Sequence, residues 1–300
     1  AFQRVKTAGA TIHDQYEATA SGVLSRDLPG LLHGGDHRWT FPSRDEIRNA
    51  SPQDLKAQIS GPLASGPIEV VIVGDITVEK ATEAVARTLG ALPPRAVSPP
   101  PPAPQLATAF PAPTQEPVIR THKGRKDQAV GYIAWKTNDF YADPQAARNN
   151  AVMGEVLGLR LIDELREAQG ATYSPSVGYN HSYTWPGWGY VSASVEVPPE
   201  KLPAFFADVR KIASDLATTA VSADELARAK TPRIDRIEKA RKTNEYWLSE
   251  LSAAQTDSRR LDAIRAQIPG TERVTADDVR TAAQRVLLDD KAWMMVVKPD

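Results

Sequence analysis

Two stretches near the N-terminus recur 224 residues further along the chain, and a repeat of that length restricts the fold more than any other feature. Phe2-Gln3-Arg4-Val5-Lys6-Thr7 aligns with Leu226-Ala227-Arg228-Ala229-Lys230-Thr231. Ser51-Pro52-Gln53-Asp54-Leu55 aligns at the same offset with Thr275-Ala276-Asp277-Asp278-Val279. Ser51 and Thr275 each precede an acidic first turn, where a side-chain oxygen satisfies the free N–H groups that open a helix. An apolar run follows each helix, Ile68 to Val73 and Trp293 to Val297, and reads as a strand. The expectation is a duplicated domain: residues 1–94 form the C-terminal part of a truncated first repeat and 118–300 a complete second one. Residues 95–117 between them are proline-rich, with Pro99 to Pro102 at the centre, and favour a semi-rigid polyproline II spacer. Ala1 in place of Met, followed by a helical pattern, adds the expectation that the first repeat continues upstream.

Within residues 118–300 the element order is legible from periodicity. Val130, Tyr132, Ile133 and Trp135 mark a strand from Gln128 to Lys136. Asp143-Pro144 supplies a cap and a first-turn proline for a helix whose Val152, Met153, Val156, Leu157, Leu161, Ile162 and Leu165 recur at helical spacing, with Gly170 placed to stop it. Ala171 to Tyr183 and Gly187 to Val197 read as a hairpin across Trp185-Pro186-Gly187. In its second strand Val191, Ala193, Val195 and Val197 alternate with polar residues, so one face is buried and the other wet. Helices from Lys201 to Thr218, from Ala223 to about Ala254 and from Ala276 to Leu287 precede the closing strand. Such an order specifies an α+β fold of duplicated α/β rolls, a largely antiparallel sheet with helices packed on one face.

Composition narrows the partners. Thirty-six basic and thirty-seven acidic side chains nearly cancel, so no basic footprint points to nucleic acid or an anionic membrane. No stretch approaches the ~20 apolar residues of a membrane span. Cysteine is absent, which removes disulfides, thiolate ligands and cysteine nucleophiles from consideration.

His33-Gly34-Gly35-Asp36-His37 imitates an inverted zinc motif with Asp in place of Glu. A zinc site of that class needs both histidines on one helical face. Paired glycines cost roughly 2 kcal/mol of helix propensity against alanines, so a turn is expected here, without metal. His13, His122 and His181 have no ligand spacing and read as surface or hydrogen-bonded residues. Trp185 and Trp188 at the hairpin tip read as aromatic packing that stabilises a turn. No G-x-S-x-G elbow, P-loop or dinucleotide fingerprint is present.

The segment Leu161-Ile162-Asp163-Glu164-Leu165-Arg166-Glu167-Ala168-Gln169-Gly170-Ala171-Thr172-Tyr173-Ser174, in this element order, resembles the C-terminal, non-zinc-binding half of the pitrilysin/insulinase family of zinc metallopeptidases. Ile68-Glu69-Val70-Val71-Ile72-Val73-Gly74-Asp75, followed by a helix and Leu92-Pro93, resembles that family's domain ending. The resemblance implies a missing N-terminal half, on the same chain or on a partner subunit, that carries the H-x-x-E-H zinc site. This chain would hold the peptide substrate and have no zinc or other cofactor of its own. Arg166 and Tyr173 match the family's arginine and tyrosine seven residues apart, which orient the scissile peptide and stabilise the oxyanion. Read without the family, Arg166 pairs with Glu164 or Glu167 and Tyr173 packs under the sheet. The implied activity is metal-assisted peptide hydrolysis by the two halves together, with this fragment inactive alone. The alternative is a metal-free scaffold or partner subunit related to the same peptidases. Bacterial relatives and the lack of cysteine lean towards the periplasm or cell envelope, and the cytoplasm is compatible with the same composition.

Overall fold

The computed structural model describes residues 2–95, 102–169, 175–252 and 254–300, and side chains throughout these except for 166–169. In chain order the helices and strands are α1 (Phe2–Glu17), α2 (Ala20–Leu32), α3 (Arg44–Asn49), α4 (Pro52–Ser65), α5 (Val78–Ala86), α6 (Ala103–Leu106), β1 (Val118–His122), β2 (Ala129–Thr137) and α7 (Pro144–Gln169). They continue with β3 (Ser176–His181), β4 (Gly189–Val197), α8 (Leu202–Thr218), α9 (Ala223–Ala240), α10 (Asn244–Leu251), α11 (Arg259–Arg265), α12 (Gln267–Glu272), α13 (Ala276–Val286) and β5 (Ala292–Pro299). Two compact units result, one from residues 2–49, 102–230 and 271–300, the other from the described parts of 50–101 and 231–270. These spatial units cut across the sequence segments 1–94, 95–117 and 118–300.

The first unit is built on a five-stranded sheet in the order β1-β5-β2-β4-β3. β1 runs parallel to β5, and the other neighbours are antiparallel, with Tyr132 opposite Met295, Ile133 opposite Ala193 and Val177 opposite Ala193. Helices α7, α8 and α13 pack on one face, as the sequence predicts. Their Val152, Met153, Leu157, Phe205, Val209 and Val279 close a core with Ile133, Trp135, Ala193 and Met294 of the strands. The buried Trp135 indole donates to the Leu288 carbonyl at 3.0 Å, so the core holds a large aromatic without an orphaned donor.

A second core lies on the opposite face, where Ala20, Val23 and Leu32 of α2 meet Val130, Tyr132, Trp293 and Met295. That explains why β2 and β5 are apolar almost without alternation: a strand covered on both faces has no wet side. β4 alternates as expected, yet its polar face is only partly wet, because Ser192 is buried and Ser194 and Tyr190 are half-buried. β1 was not foreseen; its five residues carry no apolar run, and pairing with β5 makes them a strand.

In the second unit, Ser51 caps α4 reciprocally with Asp54, and Thr77 caps α5. Thr243 caps α10 through the Tyr246 N–H (3.3 Å), which is where the helical region expected from Ala223 to Ala254 breaks. Ile68–Val73, expected to be a strand, is not one. A β-branched run becomes a strand only when neighbours supply ladder partners for its N–H and C=O groups. Here, among the described residues, the hydrogen bonds made by the run are those that Glu69 and the Val70 carbonyl accept from Gln255 and Thr256.

Candidate functional site

Asp143 fixes the start of α7, its Oδ1 accepting from the N–H groups of Gln145 (3.0 Å) and Ala146 (2.9 Å). From there the predicted stripe is buried along the helix at Val152, Met153, Val156, Leu157, Leu161 and Leu165, with Ile162 half-buried. Arg166 belongs to the last turn of α7, with its side chain outside the described residues. Tyr173, like Gly170, lies outside the described residues altogether. The structure therefore leaves the Arg166 and Tyr173 pairing unmeasured, while it describes the two elements on either side: α7 before the connection and β3 after it.

β3 forms an edge of the sheet. One side of its backbone pairs with β4, from Ser176 opposite Ser194 to His181 opposite Gly189, and among the described residues no strand lies on the other side. An open edge of this kind can take an extended peptide as an additional strand, with main-chain hydrogen bonds supplying affinity. Val177 and Tyr179 turn towards α7, where Gly158 and Gly154 leave room; a β-carbon on Gly158 would lie 3.4 Å from that of Val177. Past the end of β3, the rings of Phe140, His181 and Tyr183 stand 4.8–5.1 Å apart, and the Arg148 guanidinium lies 5.2 Å from the Phe140 ring centre. The ring cluster stiffens this end of the edge.

The H-x-x-D-H segment is a turn. Gly34 and Gly35 adopt φ of 65° and 82°, a backbone region that helices do not visit and that favours glycine. His33 is stacked between Trp39 (4.0 Å, 7°) and Trp188 (4.3 Å, 15°), and its Nδ1–H donates to the Pro29 carbonyl at 2.6 Å. Burial pushes its pKa down. His37 instead points to Glu46 (2.9 Å), whose carboxylate raises the imidazole pKa. Arg38 holds the Asp36 carboxyl at about 2 and lies 4.7 Å from the ring centres of both Trp39 and Trp185. The hairpin-tip tryptophans are thus turn packing, as expected. His13 and His122 are buried and hydrogen-bonded, to the carbonyls of Pro42 (2.7 Å) and Gln128 (2.8 Å). Among the described residues no group of three or more His, Cys, Asp or Glu could hold a metal ion, and no helix is long and apolar enough to cross a membrane.

Comparison with known proteins gives this arrangement a context. A family described as the peptidase M16 inactive domain matches residues 49–232. The chloroplastic stromal processing peptidase of Pisum sativum is 23% identical over 302 residues, covering 85% of this chain and 24% of that protein. The chain thus spans about a quarter of the length of this curated relative. Among solved structures, a peptidase M16 inactive domain from Pseudomonas fluorescens superposes with a TM-score of 0.75 at 19% identity, over 100% of this chain and 70% of that one. A protease from Helicobacter pylori superposes with a TM-score of 0.77 at 15% identity, over 99% and 72% of the respective chains.

Proposed function

The chain belongs to the peptidase M16 inactive-domain family, and from that premise we propose that it is the substrate-holding part of a zinc-dependent endopeptidase. The observation that carries the proposal is the open edge at β3, placed in the chain directly after the segment that contains Arg166 and Tyr173. An unfolded peptide adds to β3 as a strand. Arg166 and Tyr173 then orient the scissile bond and donate to the oxygen that becomes negative as water attacks, a role suited to a fixed guanidinium and a phenol. The zinc and its activated water are supplied by an H-x-x-E-H half on the same polypeptide or on a partner subunit. We assign this activity to the periplasm or cell envelope.

Matched caps support the duplicated-domain reading. Ser51 N–H donates to Asp54 Oδ2 and Thr275 N–H to Asp278 Oδ2, both at 2.9 Å, and the return bonds from Asp54 and Asp278 N–H are both 3.1 Å. On this reading residues 1–94 are the C-terminal part of a truncated first repeat, 95–117 the proline-rich linker and 118–300 the complete second repeat.

The test is zinc-dependent peptidase activity after this chain is combined with the zinc-binding half, for the natural sequence, Arg166→Ala and Tyr173→Ala. Activity is expected only in the combination, and each variant should lose at least about tenfold in kcat, since removing an oxyanion donor typically costs about a hundredfold to a thousandfold. Full activity in both variants removes the assigned roles, and silence in every combination returns the scaffold reading.

A further inference from the structure

Every second residue of β3 faces the helices, and the two faces of this edge strand differ in chemistry. Val177 and Tyr179 turn towards α7 and are half-buried against the main core. His181 follows on the same face with its ring 5.2 Å from that of Tyr179, and Phe140 and Tyr183 continue the aromatic row past the end of the strand. On the other face stand Ser176, Gly178 and Asn180; Ser176 and Asn180 are exposed. The helix on that side, α2, packs on β1, β5 and β2, towards the opposite edge of the sheet. One face of β3 is therefore apolar and aromatic, and the other is polar and wet.

A strand added along β3 repeats this alternation, because residues directly opposite one another in paired strands project to the same face. Side chains opposite Val177 and Tyr179 lie on the helix side, with their β-carbons about 5 Å from those of Val177 and Tyr179. Side chains opposite Ser176, Gly178 and Asn180 enter water. Resting on the peptide-holding reading above, we propose that β3 selects strand-forming peptide segments in which large apolar side chains, aromatic or β-branched, alternate with polar ones, an apolar pair at i and i+2 seating beside Val177 and Tyr179. Cross-strand contact with an aromatic or β-branched neighbour is the unit of stabilisation in a sheet, and only this spacing obtains it twice. An apolar pair at i and i+1, or at i and i+3, sends one side chain to the wet face, where no apolar neighbour on β3 meets it.

Binding to the full chain, followed by fluorescence anisotropy, tests the spacing directly. Short peptides of Thr, Ser and Gln with an uncharged dye carry two Ile residues at i and i+1, at i and i+2, or at i and i+3, so that composition is constant. Against the all-polar peptide, the i and i+2 peptide should bind about tenfold more tightly and the other two about threefold, at roughly threefold for each cross-strand pair. Tyr179→Thr keeps a β-branched residue in the strand and should bring the i and i+2 peptide down to about threefold. Asn180→Val, at an exposed position, gives the wet face an apolar neighbour three residues from Val177 and should raise the i and i+3 peptide to about tenfold. Unchanged circular dichroism spectra verify the fold of both variants, and slowed amide exchange in residues 176–181 places the peptide on β3. Affinity that ignores spacing, an i and i+2 advantage that survives Tyr179→Thr, or an i and i+3 peptide that gains nothing in Asn180→Val overturns the selection and leaves peptide holding intact. Absence of binding to any peptide, or binding that leaves exchange in 176–181 unchanged, overturns both.

Discussion

His33 is a stacking surface, and its titration should be readable in stability. It lies buried between two indoles, with one ring nitrogen committed to a carbonyl, so the folded state favours the neutral imidazole. A histidine whose folded pKa lies below its unfolded value of about 6.5 binds a proton more readily when unfolded. The stability it contributes is complete above that unfolded value and declines as pH falls below it. His37, raised by Glu46, works in the opposite sense, so the two must be separated by substitution. His33→Phe keeps a flat ring between the tryptophans and removes the proton. Urea unfolding followed by tryptophan emission should show the natural chain losing more stability than this variant between pH 7 and pH 5.5. Parallel losses in the two proteins would mean that His33 does not control this window.

At the scale of elements, two helix details govern how the edge strand is presented. Gly154 and Gly158 cost α7 roughly 1 kcal/mol each in helix propensity, and the close approach of β3 is what they permit. Gly158→Leu should push β3 outward and cost about 1–3 kcal/mol, as overpacking does; in amide exchange the loss should appear first in Ser176–His181. The reciprocal cap of α13 is simpler. Thr275→Ala removes one partner and should lower unfolding stability by about 1 kcal/mol, measured by urea titration against Thr275→Ser as the control. The cap, the apolar stripe of α7 and the 128–136 strand were legible because each is a local pattern within one element. What covers the second face of the sheet was not: α2 and β2 are more than 90 residues apart in the chain, and nothing in Val23 names its partner. The turn at His33–His37 could be read, because paired glycines carry their own conformational signal.

The two compact units should differ sharply in local stability, a consequence of what each one buries. In the first, β2 and β5 are central strands with ladders on both sides and cores on both faces, and their amides are expected to exchange only on global unfolding. In the second, α4 carries Leu55, Ile59 and Leu63 at 51%, 42% and 66% exposure, whereas Val279, Ala283 and Leu287, their counterparts at the repeat offset in and just after α13, are buried. Ile68–Val73, the counterpart of the β5 region, has no neighbouring strand among the described residues, and its N–H groups have no backbone acceptor there. Exposed apolar faces and unladdered backbone contribute little to resisting local opening. Native-state hydrogen exchange followed by mass spectrometry should therefore find residues 68–73 exchanging at least about a hundredfold faster than β5, a gap of roughly 3 kcal/mol in opening free energy. Under the proposed function, addition of a zinc-binding half that covers 68–73 is expected to slow exchange in that segment and to leave β2 and β5 unchanged. Equal protection of 68–73 and β5 in the isolated chain would show that the run already has a strand partner, for which self-association through this apolar edge is the physical route.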